Sequence, residues 1–396
     1  MDLWATVPYY TAYLSSGLLR KGVNLTVGSI TYYLDTGCFT SRGIRVDPGP
    51  LDFVGQFQLP RLLRRVLKLL ESLLNMSALT VRFMFNPPDV IHVQYLPMLK
   101  WQLPIDFWFL RYCRRRRATV ILTVHDLMPH DTAERHKQMF YHLYAMVDGL
   151  ICHSDHIKKR LHTEFAVHNQ KIAVIPHGPF FYDLPSNKDQ AIIRTIFPHP
   201  GKVMVLWQGI IFPYKGIDLL LNAWRMVEAA TNEAYLVIVG TGGPELLDEI
   251  RSQIVQLELN HVVTHFRFIT TEELVALYRA ADIVVYPYRA ITTSGALATG
   301  LAMGKTIIAS DIPVFRELLV DRESALLINP EHVNEFAGAL IELIADPALR
   351  NNLAMRVRSM NFGDDSWNSI AELTEHAYSC FFHSRDIVYE HSSPNG

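Results

Sequence analysis

Between Asp282 and Asp311 the chain carries no acidic residue, and inside that span lies ITTSGALATG (291–300), hydroxyls and a glycine ahead of a helical stretch. Thr292, Thr293, Ser294 and Gly295 can offer hydroxyls and backbone N–H groups to an anion, with the positive end of the helix behind them. The same residues also read as an ordinary Ser/Gly N-cap. An earlier turn, GIIFPYKG (209–216), provides Gly209, where backbone can approach a ligand closely, and Lys215 at a helix start. Cations, backbone amides and helix N-termini together stabilise negative charge building on a departing phosphate. Taken alone, Lys215 reads as a solvated helix-start lysine.

Other polar clusters sit at strand exits. His125 and Asp126 close the strand-like run TVILTVHD, with His130 and Asp131 following in the same loop. A lone histidine there reads as a satisfied core residue; four such groups together read as a site. They lie on an irregular loop without regular ligand spacing, so no metal is expected. His177 in VIPHG lies at the exit of the first half, as a site residue or a hinge. Gly240, Thr241, Gly242 and Gly243 in VGTGG form a strand-to-helix turn that falls short of a dinucleotide fingerprint.

The elements that must position these residues alternate along the whole chain. LWATV (3–7), VNLTVGSI (23–30), DVIHVQY, TVILTVHD, GLICHS and KIAVIPHG read as buried strands, separated by helical patterns such as HKQMFYHLYAMVDG. After a Pro-rich polar lapse a second series begins: VMVLWQG, AYLVIVGTGG, VVTHFRF, DIVVYPY, TIIASD and SALLINP. Apolar strands with helical crossovers predict α/β domains built on parallel sheets covered on both faces, with ligands at the carboxyl ends of the strands.

At 396 residues, 49% hydrophobic and 19% charged with a net charge of −2, the chain predicts two folded domains and no affinity for nucleic acid. Four scattered cysteines without a C-x-x-C pair fit a reducing cytoplasm. The first residues lack a signal-peptide pattern, and no apolar run is long enough to span a bilayer. Charge is locally uneven. LPRLLRRVLKLLESLL places Arg61, Arg64, Arg65 and Lys68 on one helical face, and FWFL is followed by Arg111 and then Arg114, Arg115, Arg116 and Arg117. Each cluster reads either as solvated arginines on a packed helix or as a helix lying on an anionic membrane.

The second half resembles the donor-binding domain of the retaining glycosyltransferases of family 4, which have the GT-B fold. GIIFPYKGIDLLLNAW, LVIVGTGG, TEELVALYRAADIVVYPY, GLAMGKTIIASDIPVFRELL and ALLINPEHVNEFAGALIELIADPALRNNLA carry the resemblance, and PDVIHVQY, TVHD and VIPHG match in the first half. It implies two doubly wound parallel-sheet domains facing across a cleft: an acceptor-binding domain (1–180), a linker (181–200), a donor-binding domain (201–365) and a C-terminal helix (366–385) returning to the first domain. It also implies transfer of a hexose, with retention, from a nucleotide diphosphate sugar to a hydroxyl of a glycan or lipid-linked acceptor, as in bacterial polysaccharide biosynthesis. A UDP-sugar is favoured over GDP-mannose, and no further cofactor is implied.

By the same resemblance His125 positions the transferred sugar and Lys215 meets the diphosphate. Gly209, Gly240, Gly242, Phe268, Thr293, Ser294, Gly295 and Thr299 line the donor, and Asp126, His130 and Asp131 face the acceptor. Ile210 and Phe212 stand where the family places an arginine, which leaves Arg289 either as its substitute or as a surface residue. The family's two glutamates align with Ile291 and Thr299, neither acidic. A threonine hydroxyl gives a ribose one hydrogen bond where a carboxylate gives two charge-assisted ones, so weaker donor binding is expected. The rival expectation is a non-catalytic nucleotide-sugar-binding partner subunit of the same fold. A nucleotide-sugar epimerase would need carboxylates that this span lacks. With two basic clusters in the acceptor half, the reading is a cytoplasmic enzyme peripheral to the inner face of a membrane.

Overall fold

The structure is a computed structural model describing residues 1–54, 56–57, 60–99, 103–128, 136–185, 189–197, 199, 201–360 and 362–392. The chain divides into two compact units, Met1–Pro176 with Trp367–Gly396, and His177–Ser366.

The first unit holds helices α1 (Pro8–Arg20), α2 (Arg61–Phe85), α3 (Ile105–Arg115), α4 (Lys137–Met146) and α5 (Asp155–Phe165). Strands β1 (Val90–Val93), β2 (Thr119–Thr123), β3 (Gly149–Cys152) and β4 (Ile172–Val174) form a parallel sheet in that order, with Val90 opposite Thr119, Ile121 opposite Gly149 and Leu150 opposite Ile172. Two expected strands are absent. Residues 3–7 form a turn because the Asp2 carboxylate accepts the backbone N–H groups of Thr6 and Val7, and Pro8 then starts α1. Residues 23–30 make only an isolated bridge, Val27 with Val46.

The second unit begins with α6 (Asp189–Ile196), inside the stretch read as a linker. Ile192, Ile193, Ile196 and Phe197 pack on the core there. Then follow β5 (Val203–Gln208), α7 (Ile217–Ala230), β6 (Ala234–Gly240), α8 (Pro244–Gln256), β7 (Val262–Phe266), α9 (Thr271–Ala280), β8 (Ile283–Tyr286), α10 (Gly295–Ala302), β9 (Thr306–Ser310), α11 (Pro313–Arg316), β10 (Leu326–Ile328), α12 (Val333–Ala345) and α13 (Pro347–Ser359). The six parallel strands run β10-β9-β8-β5-β6-β7. Alternation along β5 sends Val205 and Trp207 into one core and Met204 and Leu206 into the other, so both faces are covered. Burial of each such large apolar side chain contributes about 1.5–3 kcal/mol.

Helix α14 (Asp364–Ser392) belongs to the first unit from Trp367 onward. Trp367 is fully buried and stacks on Tyr13 with centroids 5.5 Å apart. At Gly149 a Cβ would lie 2.2 Å from the Phe381 ring, so only glycine lets α14 approach β3 this closely.

Candidate active site

In the second unit the strand order reverses beside β5: β6 and β7 lie on one side, and β8, β9 and β10 on the other. The carboxyl ends of β5 and β8 therefore flank the switch point, where open α/β sheets bind ligands. Gly209 leaves β5 with φ +145° and Gly240 ends β6 with φ +143°, a region that favours glycine. The two turns lie against each other, and a Cβ on Gly240 would stand 1.8 Å from the Gly209 carbonyl oxygen. Ile211 N–H donates to the Thr241 carbonyl at 2.7 Å, pairing the loops after β5 and β6. Lys215 ends a short 3-10 turn, Pro213–Lys215, just before the left-handed Gly216 that opens α7. Its Nζ would be 2.9 Å from a Cβ at Gly209, and lies 5.4 Å from the Tyr288 ring centroid and 6.0 Å from that of Trp207. A half-buried ammonium thus sits over a glycine turn at the sheet's switch point.

The loop after β8 leads to α10, whose first turn is pinned from below. The hydroxyls of Tyr278 and Tyr286 donate to the Ala296 carbonyl at 3.0 and 2.8 Å, and the Gln208 amide donates to Tyr278 at 2.7 Å. Ser294 caps the helix, its Oγ accepting from Leu297 N–H at 3.1 Å. At Gly295 a Cβ would come within 2.9 Å of the His177 ring and 2.8 Å of the Phe180 ring, so a larger residue would have to displace both rings. The two tyrosines and Gln208 carry no local signal in the sequence, because what they hold is a backbone carbonyl far along the chain.

The first unit gathers a different set at the carboxyl ends of its strands. Gln94 follows β1, His125 follows β2 and His153 follows β3. His125 Nε2–H donates to Gln94 Oε1 at 2.9 Å, and its ring meets Tyr10 edge-on at 4.7 Å. The Gln94 amide nitrogen lies 3.1 Å from His92 Nε2, which also receives the Thr123 hydroxyl at 2.6 Å. His92 Nδ1–H donates to Tyr378 of α14 at 2.6 Å. Burial, then the charged N-terminus and neighbouring His153, pull His92 down to about 3. Burial pulls His153 down to about 4, with the Ile175 carbonyl opposing. The relay from Tyr378 to His125 thus runs through the neutral His92, with neutral His153 beside it. Only His125 stood out in the sequence. HVQY and CHS look like strand ends, and nothing in them marks their convergence.

Two family models cover most of the chain: Glycosyltransferase Family 4 matches residues 7–178, and Glycosyl transferases group 1 matches residues 189–360. The chain belongs to the family 4 glycosyltransferases. An uncharacterized glycosyltransferase of Methanocaldococcus jannaschii is 23% identical over 67% of this chain and 68% of its own length. A phosphatidyl-myo-inositol mannosyltransferase of Mycolicibacterium smegmatis is 27% identical over 46% of this chain and 45% of its own length. Across the inositol-linked relatives the match spans about half of their length. Anabaena HepE, solved with UDP and glucose, superposes with a TM-score of 0.73 at 16% identity, covering 95% of this chain and 96% of its own. The glycosyltransferase has the GT-B fold.

The expected site residues fall into several environments in this glycosyltransferase. Gly209, Lys215, Gly240, Gly242, Thr293, Ser294 and Gly295 come from the loops at the carboxyl ends of β5, β6 and β8. Phe268 is half-buried just after β7. Arg289 is already engaged: its guanidinium grips both Asp218 carboxylate oxygens at 2.9 and 2.6 Å and the Pro213 carbonyl at 3.0 Å. Desolvation works to raise the Asp218 carboxyl, but the Arg289 hydrogen bonds and charge outweigh it and hold it below its ordinary range. Arg289 thereby clamps the loop that carries Lys215. The Thr299 hydroxyl donates to Gly295 O at 2.8 Å and accepts from Phe180 N–H at 3.0 Å. Asp126 is exposed, and His130 and Asp131 lie outside the described residues. Among the described residues no cluster of three or more His, Cys, Asp or Glu forms a metal site.

Helix α2 is turned opposite to a helix that keeps its cations in solvent. Lys68 Nζ donates to the Trp4 carbonyl at 2.8 Å, and Arg64 stacks over Tyr33 at 4.3 Å. Outward instead point Leu63, Val66, Leu70, Leu74 and Val81, each about half exposed. Arg65 of the same helix is exposed. In the second basic cluster Arg114 pairs with Asp148 at 2.8 Å and Arg116 donates to the Met84 carbonyl at 2.6 Å, while Arg111, Arg115 and Arg117 are exposed. The side chain of Arg61 lies outside the described residues. No helix among the described residues is long and apolar enough to cross a membrane.

Proposed function

We propose that this glycosyltransferase moves a hexose, with retention of anomeric configuration, from a nucleotide diphosphate sugar to a hydroxyl of a glycan or lipid-linked acceptor. The observation that carries the reading is the Lys215 ammonium poised over Gly209 at the switch point, beside the capped N-terminus of α10. The bond between the anomeric carbon and the β-phosphate oxygen breaks while the acceptor oxygen bonds to that carbon on the same face. The acceptor proton passes to the departing phosphate. Lys215 and the amides of residues 293–295 neutralise the charge that develops, with no acidic side chain and no metal in the scheme. His125, oriented by Gln94, holds the sugar.

A UDP-hexose is the favoured donor, supported by the HepE likeness. The mannosyltransferase relatives support GDP-mannose as the alternative. The protein sits peripherally on the inner face of a membrane, with the outward apolar stripe of α2 as the contact rather than Arg64 and Lys68. Radiolabelled UDP-hexoses and GDP-mannose, incubated with the protein with and without lipid-linked and glycan acceptors, test the reading. Transfer or slow donor hydrolysis is expected. A donor that binds but never reacts with any acceptor would instead mark a binding subunit.

A further inference from the structure

Away from the carboxyl ends of its sheet the first unit has a cavity of about 610 Å³ between α3 and α4. The lining runs along α3 from Phe107 to Arg115 and along the second half of α4; both helices run back against the parallel strands, so Arg114, Arg115 and Met146 lie toward the amino ends of β2 and β3. This is the edge opposite His125. The lining is Phe107, Trp108, Arg111, Arg114 and Arg115 from α3 with His142, Ala145 and Met146 from α4, and contains no acidic residue among the described residues. Arg114 is tied to Asp148. Arg111 and Arg115 are exposed, one helical turn apart on one face, and form no ion pair among the described residues.

Two such guanidinium groups make a fork for phosphate oxygens. The rim is apolar: Trp108 is 65% exposed on the face that carries Arg111. An indole held in solvent beside cations suits the boundary between headgroups and acyl chains. Helix α2 packs alongside, its end joined to α3 by the Arg116 bond to Met84, and it leaves Phe85 82% exposed. A second copy of this face would set arginine against arginine. A small soluble anion would leave the aromatic rim unused.

We propose that the α3–α4 cavity binds the phosphate headgroup of an anionic phospholipid, with Arg111 and Arg115 on the phosphate and Trp108 at the acyl boundary. The site rests on the membrane reading above for its setting, not on the transfer reaction. The full chain is sedimented with vesicles of phosphatidylcholine alone and of phosphatidylcholine with phosphatidylglycerol, with inorganic phosphate as soluble competitor. Binding is expected to favour the anionic vesicles. R111Q/R115Q is expected to weaken that binding about thirtyfold, the loss for two surface charges on an anionic bilayer. Trp108→Ala is expected to weaken it severalfold, and millimolar phosphate to leave it intact. Undiminished binding by R111Q/R115Q, with the parent still selecting anionic vesicles, would overturn the cavity alone. Absence of parent binding to either vesicle would overturn both this site and the membrane contact of α2. Abolition by inorganic phosphate would make the cavity a soluble-anion site and overturn the lipid assignment.

Discussion

The two units present opposite chemistry at equivalent places in related sheets. At the strand ends of the second unit a lysine, two glycine turns and a helix N-terminus gather positive charge and backbone amides. At those of the first unit, the polar relay passes through a neutral histidine and carries hydrogen bonds without formal charge. The difference teaches a division of labour on the proposed reading. A leaving diphosphate needs fixed positive potential, whereas a sugar needs directional hydrogen bonds that do not compete with it for the anion. In the second unit Tyr278, Tyr286, Gln208 and the Arg289–Asp218 clamp hold the loops after β5 and β8 by hydrogen bonds.

Substitutions can break this contrast on either side. Lys215→Ala removes the cation and is expected to lower kcat by about 10²–10³-fold, the scale of a lost electrostatic stabiliser. Steady-state kinetics with the active donor check it, and near-normal turnover would remove Lys215 from the chemistry. Gly240→Ala forces a side chain against the Gly209 carbonyl at positive φ, and is expected to destabilise the second unit by about 3 kcal/mol. Chemical denaturation measures that loss, and an unchanged midpoint would mean that the two turns are not held as described.

In the first unit Gln94→Leu should lower kcat/KM by about tenfold or more while nucleotide diphosphate affinity holds, because His125 loses its orienting partner. A loss of nucleotide affinity instead would erase the contrast between the units. Stability should also respond to pH. His92 and His153 titrate at about 3 and about 4 when folded, against an ordinary value of 6.5. The unfolded chain therefore binds more protons below about pH 6.5. Stability should be full above that value and fall as pH drops toward 4, as thermal melts across the range would show. His92→Gln should flatten part of the slope. Smallest of all, Arg289→Ala opens an exposed clamp and should cost about 1 kcal/mol or less in stability. A loss of turnover as large as that of Lys215→Ala would mean that Arg289 leaves Asp218 to reach the phosphate.

Much of the second unit's fold was legible because its signals are local. VGTGG and GIIFPYKG name their own turns, and TSG names the cap of α10. What escaped depends on distant partners. Tyr278 and Tyr286 look like ordinary core residues until the Ala296 carbonyl arrives between them. In α2 periodicity shows which residues share a face but not which face turns inward. Tyr33 and the Trp4 carbonyl, both remote in sequence, draw Arg64 and Lys68 in and leave Leu63, Leu70 and Leu74 outside. LWATV has strand composition, yet the Asp2 carboxylate captures the amides a ladder would need.

The most direct test is a crystal structure of the protein with a nucleoside diphosphate bound. The account predicts the terminal phosphate within hydrogen-bonding distance of Lys215 Nζ and of the amides of residues 293–295, with the nucleoside toward Gly240 and Phe268. A diphosphate lodged elsewhere, with Lys215 still stacked between Trp207 and Tyr288 and in contact with no phosphate, would contradict it.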